Sequence, residues 1–420
     1  MKRSEAYLDI VWRQFKKNLP ALVAFSLLAP LFLTAIFAPL IASNQPLVFR
    51  DGQETLYPWF HALFNTEEEV DFAFNMAMVG FFPWVLLALV LNRLWRRRDV
   101  PGRRRVLRAG GLYLVIIAVL VGVFSFENLC PDNRYYTRTF PEEEFNQPDA
   151  KKGWYALIPF GPREQNTGRA GDPGSGASFQ PPLYRKSPEQ SYKINDRFPH
   201  VLGTDNLGRD VLVQMIYGTR IALTVGFVAV AIYIPVGVVL GALAGYFGGK
   251  VDLLISRVIE VIMLFPAFFL ILTLVALIGP SIYIIMVVIG LTGWPGIARL
   301  IRGEVLKQRS IDYVAAARAL GSSHMRIVFR HILPNAISPA LVSAPFGIAG
   351  AIITEAGLSL LGFGVRPPTP SWGTLLRLGN ENYTYWWLVV IPSLAMFFTV
   401  TIFNLVGSGL RDAMDPRLRM

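Results

Sequence analysis

"IDYVAAARALGSSHMRIVFRHILPN", residues 311–335, is a basic, alanine-rich island between two apolar runs of membrane-crossing length. Ser310 or Asp312 is placed to cap a helix start. "VAAARAL" favours helix, because alanine has the highest helix propensity. Gly321 suits the left-handed position that ends a helix. Ser322 or Ser323 then caps a second helix through "HMRIVFRHIL", which Pro334 is expected to stop. Ala315, Ala316 and Ala317 leave a shallow surface that another protein can approach closely. Met325, Ile327, Val328, Phe329 and Ile332 form an apolar stripe flanked by Arg326 and Arg330. Two readings fit these residues: a helix lying on lipid headgroups, or a docking element for a partner protein.

The rest of the chain supplies the context. Of 420 residues, 53% are hydrophobic and only 16% charged, and the mean hydropathy is +0.42. A soluble chain of this length needs more charged surface. The apolar residues cluster in blocks near the roughly 20 residues that cross a bilayer. The expected fold is all-α, a polytopic membrane helix bundle with about eight spans near 19–42, 73–92, 110–126, 220–246, 258–278, 281–298, 337–357 and 385–407. The first run exceeds the roughly 7–15 apolar residues of a signal peptide and is taken as a retained span.

The net charge of +11 sits in tracts beside apolar runs, the positive-inside pattern, and does not point to nucleic acid. Lys2, Arg3, Arg13, Lys16 and Lys17 precede the first span. "RLWRRRDVPGRRRVLR", Arg93–Arg108, follows the second. Arg299, Arg302, Lys307, Arg309, Arg318, Arg326 and Arg330 follow the sixth, and Arg411, Arg417 and Arg419 lie in the tail. Eight alternating spans put all four groups, and both termini, on the cytoplasmic side. Ser43–Asp71, Glu127–Thr219 and Ser359–Tyr385 fall outside. "GRAGDPGSGASFQPP" in the second of these reads as a flexible loop. The single cysteine, Cys130, excludes an intramolecular disulfide and any multi-cysteine metal site.

Two further stretches carry charge at special positions. In "HVLGTDNLGRDVLVQMIYGTRIAL", His200–Leu223, Gly203 and Gly208 permit turns. Asp205, Arg209 and Asp210 are expected to pair at a wet interface, and Arg220 to snorkel towards headgroups. These charges either brace the loop or touch a substrate or binding protein. In "TEAGLSLLGFGVRPPTPSWGTLL", Thr354–Leu376, Gly362 and Gly364 permit bends. Pro367, Pro368 and Pro370 stiffen the loop, and Trp372 suits an interface. Glu355, late in a span, is a pathway or gate candidate by default, with Gly362, Gly364 and Trp372 beside it, or a structural partner near the outer surface where water reaches it. "NLVGSGLRDAMDPRLR" closes the chain, with Asp412 and Asp415-Pro416 expected to end the last helix.

Other motifs fail. "GYFGGK", Gly245–Lys250, has Ala244 where a P-loop needs its first glycine and Val251 in place of Ser/Thr. Four dispersed histidines suggest no metal centre, and no nucleophile elbow occurs.

The opening stretch resembles the coupling loop of ABC importer permeases, whose pattern is Glu-Ala-Ala, three residues, glycine, then Ile/Val-Leu-Pro. The matching residues are Ala315-Ala316-Ala317, Gly321 and Ile332-Leu333-Pro334, with Ala315 replacing the glutamate. The His200 and Thr354 stretches resemble signatures of the dipeptide/oligopeptide/nickel permease group, the latter of its C-type subunit. "IASNQPLVFRDGQETLYPWF" and "GWYALIPFGP" are similar to the Yej-type branch for microcin C and oligopeptides.

The resemblance implies an ABC type I importer permease fold and a C-type subunit of a peptide importer in a bacterial inner membrane. The implied partners are a second permease, two ATPase subunits that bind ATP and Mg, and an external solute-binding protein. No cofactor and no catalysis are implied for this chain. The same machine carrying nickel, a peptide antibiotic or another small solute is an alternative, as is an intramembrane enzyme or receptor, for which no catalytic constellation is present. The expected organisation is 1–72, N-terminus, first span and external loop; 73–126, an inserted helix pair; 127–219, a long external loop; and 220–420, the permease core with its coupling helix at 311–334. The inserted pair is a lipid-facing accessory hairpin or an anionic-lipid binder.

Overall fold

Hydrocarbon offers no hydrogen-bond partner to a backbone, so a chain this apolar crosses it as helices. In the computed structural model, residues 7–51, 54–65, 69–97, 101–125, 152–166, 177–185 and 198–414 are described. The basic residues Lys2, Arg3, Arg417 and Arg419, Cys130, Asp415-Pro416 and most of the Gly/Pro/Ser loop lie outside them.

The helices are α1 (Tyr7–Phe15), α2 (Leu19–Ile36), α3 (Ala38–Ile41), α4 (Pro58–Ala62), α5 (Glu69–Arg97), α6 (Gly102–Phe124), α7 (Val211–Phe247), α8 (Gly249–Leu264), α9 (Ala267–Ile278), α10 (Ile282–Arg309), α11 (Asp312–Ala319), α12 (His324–Arg326), α13 (Leu333–Ala336), α14 (Ser338–Leu360), α15 (Trp372–Glu381) and α16 (Trp387–Met414). Strands β1 (Val48–Asp51), β2 (Glu54–Leu56) and β3 (Lys152–Trp154) form a small antiparallel sheet in the order β2-β1-β3. Among the described residues, seven helices are long and apolar enough to cross a membrane: α2, α5, α6, α7, α10, α14 and α16. The pair α8 and α9 passes that test jointly but bends by 84° at its break.

Several expected boundaries move. The fifth span is not one straight helix; Pro266, without an N–H, breaks it after Leu264. The fourth begins nine residues earlier than its expected start at 220, at Val211, because Asp210 caps α7 by accepting from Val213 N at 2.9 Å. At 37 residues, α7 is about 55 Å long and outreaches a hydrocarbon core of about 30 Å. The last helix continues through Asp412 to Met414. Asp412 is not a terminator: it accepts from Asn18 Nδ2 at 3.1 Å, tying the end of α16 to the start of α2.

Helices α7 and α10 run parallel at the centre. Gly237, Gly241 and Gly245 recur every fourth residue on one face of α7. A Cβ at Gly237 would stand 2.6 Å from Ile297 Cβ, and one at Gly245 2.8 Å from Arg302 O. Gly241 faces the Ala298 carbonyl even more closely. Small residues at this spacing let two backbones touch where hydrophobic force between helices is absent. Around this pair, α14 and α15 close one side and α16 packs against them, while α2 meets α7 directly at Phe32 and Ala35. Helices α5 and α6 form an antiparallel hairpin at the periphery. None of the spanning part of α6 is buried within the protein.

Candidate functional site

The 311–335 island projects from the end of α10. Its first helix starts without a side-chain cap: Ile311 occupies that position, and Ser310 Oγ turns back to donate to Lys307 O at 2.9 Å. Asp312 sits in the first turn, where its charge complements the helix dipole. The expected stop at Gly321 is present. Gly321 adopts φ +74°; its N–H donates to Arg318 O at 3.0 Å and that of Ser322 to Ala317 O at 3.1 Å. This pair of bonds satisfies the last carbonyls of α11 in a Schellman arrangement.

The expected surfaces divide differently. Ala315 and Ala316 are exposed, whereas Ala317 turns inward with Val314. Leu320, at the tip, is 85% exposed. The apolar stripe is split as well. Ile327, Val328 and Ile332 are fully buried in the central core, while Met325 and Phe329 face outward. Ser323 holds the N-cap position of α12 without a side-chain bond.

Pro334 does not stop this second helix. Residues Ile327–Ile332 form a π-helical turn that hands over to α13, and Pro334 falls in the first turn of α13. Its missing N–H is one that a helix start leaves unpaired. Tyr246 Oη and His324 Nδ1, 2.8 Å apart, pin the island to the C-terminal end of α7.

The His200 stretch lies at the opposite end of α7. Gly203 and Gly208 both take positive φ, +79° and +69°, and the Gln180 and Asn166 carbonyls crowd them. The charges do not sit at a wet interface. Asp205 is wholly buried; it accepts from Leu207 N at 2.9 Å, Arg209 N at 3.0 Å, Arg209 Nε at 2.6 Å and Gln214 Nε2 at 2.7 Å. Such complete pairing is what lets a carboxylate leave water. Asp210 pairs with His200 Nδ1 at 2.9 Å instead of joining Arg209.

Arg220 does not snorkel. It is 0% exposed, because α2 and α5 enclose the third turn of α7. Its Nε donates to Ala35 O at 2.7 Å, and its Nη1 donates to Asp71 Oδ1 at 2.9 Å and Asn75 Oδ1 at 3.1 Å. The guanidinium also lies 5.3 Å from the Phe74 ring and 5.0 Å from Tyr217. Sequence reasoning missed Asp71 and Asn75. Their four-residue spacing at the start of α5 was a signal, since polar side chains repeating on one helix face need a buried partner.

Glu355 is also withdrawn from water, at 2% exposure. Its Oε1 accepts from Ser359 Oγ at 2.7 Å and Ser371 Oγ at 2.8 Å. Ser371 in turn caps α15 by accepting from Gly373 N. Trp372 is not an interface anchor: it is buried and donates from Nε1 to Met215 O at 3.0 Å. Gly218 makes room for it, as a Cβ there would stand 2.7 Å from Trp372 Cδ1. Gly362 turns at φ +87°, and Gly364 sits against Ser359. Glu355, Ser359, Gly364, Ser371 and Trp372 thus form one buried knot against the start of α7. Among the described residues, no group of three or more His, Cys, Asp or Glu side chains converges to hold a metal ion.

The arrangement is one long helix with a charged, fully paired lock at one end and a projecting helical tip at the other. Residues 237–420 match the family described as binding-protein-dependent transport system inner membrane component, and residues 6–58 match the N-terminal TM domain of oligopeptide transport permease C. Residues 59–236 lie outside both matches. Among curated relatives, the dipeptide transport system permease protein DppC of Alkalihalophilus pseudofirmus is 38% identical over 52% of this chain and 73% of its own. The glutathione transport system permease protein GsiD of Pectobacterium atrosepticum is 40% identical over 52% and 73%. The oligopeptide transport system permease protein OppC of Haemophilus influenzae is 39% identical over 52% and 71%. With its membrane bundle, and with relatives of this identity matched over more than two thirds of their length, the chain belongs to the binding-protein-dependent transport system inner membrane components, the permeases of ABC transporters.

Proposed function

We propose that this chain is one of two permeases in an ATP-driven importer of peptides. In this reading two ATPase subunits bind ATP and Mg and dock beneath the two permeases, and the α11–α13 island is the contact this chain offers them. A solute-binding protein delivers cargo to the opposite face, and cargo passes between this chain and the second permease. The N- and C-termini face the cytoplasm, as the arginine and lysine tracts require under the positive-inside rule. The work of this chain is to convert docking motion into a change of access. Peptide cargo is supported by the relatives, named for dipeptide, glutathione and oligopeptide transport.

The observation that carries the reading is the island itself. Its base, Val314, Ala317, Ile327, Val328 and Ile332, is locked into the core, while Ala315, Ala316, Leu320 and Gly321 protrude. A rigid base under a small-residue tip fits helix-in-groove recognition. Glu355 and the Asp205–Arg209 pair, both buried and satisfied, act in this reading as braces for the outer end and not as cargo contacts.

The test is co-expression with the neighbouring permease and ATPases. Leu320→Asp should abolish co-purification of the ATPases and ATP-dependent peptide uptake into vesicles, while the membrane level of the chain stays normal. Undiminished uptake by that variant would refute the docking role of the tip. Uptake of only a non-peptide solute by the intact complex would refute the cargo.

A further inference from the structure

We infer that the α5–α6 hairpin holds a site for an anionic phospholipid at its arginine-rich end. Between the two helices lies an open groove of about 820 Å³. Trp84, Val85, Leu89 and Val106 give it an apolar wall, and Asn92 and Arg105 close its polar end. Arg105 donates from Nη1 to Asn92 Oδ1 at 3.1 Å, yet its Nε is buried without a hydrogen-bond partner. A buried charged donor left unpaired is costly, and a turn of the Arg105 side chain towards the groove lets a phosphate oxygen satisfy it. Arg93 and Arg108 are exposed beside this end, with the Arg108 guanidinium 5.9 Å from the Trp95 ring. Apart from Glu69 and Asp71, at the far end of α5, the described residues of the hairpin include no acidic side chain to neutralise them.

The occupant follows from this order of chemistry. The groove passes from a cationic, hydrogen-bonding end to an apolar wall along helices that cross the bilayer. A diacyl phospholipid has the same order, from headgroup phosphate to acyl chain. The spanning face of α6 is not covered by the protein, so acyl chains reach the groove directly. Trp84 Nε1 donating to Ala109 O and Tyr113 Oη donating to Ala77 O, each at 2.7 Å, hold the two helices together, so the groove is built before the lipid arrives. The inference does not depend on the nature of the cargo.

Full-length protein, delipidated in detergent, is titrated with dioleoyl phosphatidylglycerol or dioleoyl phosphatidylcholine, and bound lipid is counted by native mass spectrometry. Phosphatidylglycerol should bind in preference. Arg105→Gln should lower its occupancy about fivefold, the effect expected for one basic group at an anionic surface, with Arg105→Lys in between. Gly110 lines the groove and a Cβ there meets nothing within 4 Å; Gly110→Leu should therefore fill the groove and displace the lipid even if Arg105→Gln folds poorly. Arg257→Gln, on α8, should change nothing. Equal binding of the two lipids, unchanged phosphatidylglycerol occupancy in Gly110→Leu, or full displacement by an equal concentration of inorganic phosphate would each overturn the assignment.

Discussion

Arg220 and Asp71, 149 residues apart in the chain, meet at 2.9 Å inside the bundle. The pair joins α7 of the core to α5 of the hairpin. The Arg220 side chain is completely buried, and Asp71 keeps 19% of its side chain exposed. Removing one partner from such a pair strands a charge. Asp71→Ala should therefore destabilise the protein by about 3 kcal/mol, seen as a lower melting temperature in detergent. The double variant Asp71→Leu with Arg220→Met should recover most of that loss. A double variant no more stable than Asp71→Ala would show that the charge is not the cause.

The glycine face of α7 gives a second expectation. Gly241→Val puts a branched side chain against the Ala298 carbonyl and Ile301, and overpacking of this kind costs about 1–3 kcal/mol. Gly296→Ala on α10, where a Cβ meets nothing within 4 Å, serves as the comparison and should melt like the parent. Equal melting of the two variants would count against close α7–α10 packing.

Much of this bundle was legible in advance, because hydrocarbon admits little besides apolar helices of sufficient length. Seven of the eight expected spans are single helices for that reason and the other is the bent α8–α9 pair; Gly321 follows from the need for a left-handed stop. What stayed hidden depended on partners far along the chain. Arg220 was expected to snorkel because its position near a run's start resembles an interface; only the cap at Asp210 and the contact with Asp71 place it deep. Pro334 was expected to end a helix, and the preceding π turn instead makes it a beginning. The spacing in "GVVLGALAG", Gly237–Gly245, was visible, but its counterpart on α10 was not. Trp372 reads as an interface residue, and Glu355 stays open between a pathway role and structural pairing, because sequence does not reveal that Gly218, Ser359 and Ser371 leave them a buried seat.

At Gly321 the backbone itself is the determinant. Its φ of +74° costs an ordinary L-residue about 1–2 kcal/mol, though a Cβ meets no neighbour within 4 Å. Gly321→Ala should lower ATP-dependent peptide uptake and leave the melting temperature of the bundle nearly unchanged. Gly321→Asn, which tolerates the left-handed conformation, should retain more uptake than alanine. The opposite ranking would mean that tip geometry does not matter for coupling.

Glu355 separates charge from hydrogen bonding. Glutamine keeps an oxygen where Ser359 and Ser371 donate, so Glu355→Gln should melt close to the parent and transport normally if the residue is a brace. Glu355→Ala leaves two buried hydroxyls without their acceptor, at about 1–3 kcal/mol, and should melt lower. Transport lost in the glutamine variant at unchanged melting temperature would instead give the charge a direct part in the pathway.

The bend between α8 and α9 has a consequence for assembly. Leu264 and Phe265 stand exposed beside an 84° break. Pro266 has no N–H to offer the last carbonyls of α8; that of Ile262 accepts from Phe265 N at 3.4 Å, and hydrocarbon cannot solvate those that stay open. Open carbonyls at such a break make lipid a poor neighbour for this stretch. Protein or channel water is the wall such a break calls for, and in the proposed transporter the elbow is where the second permease would stand.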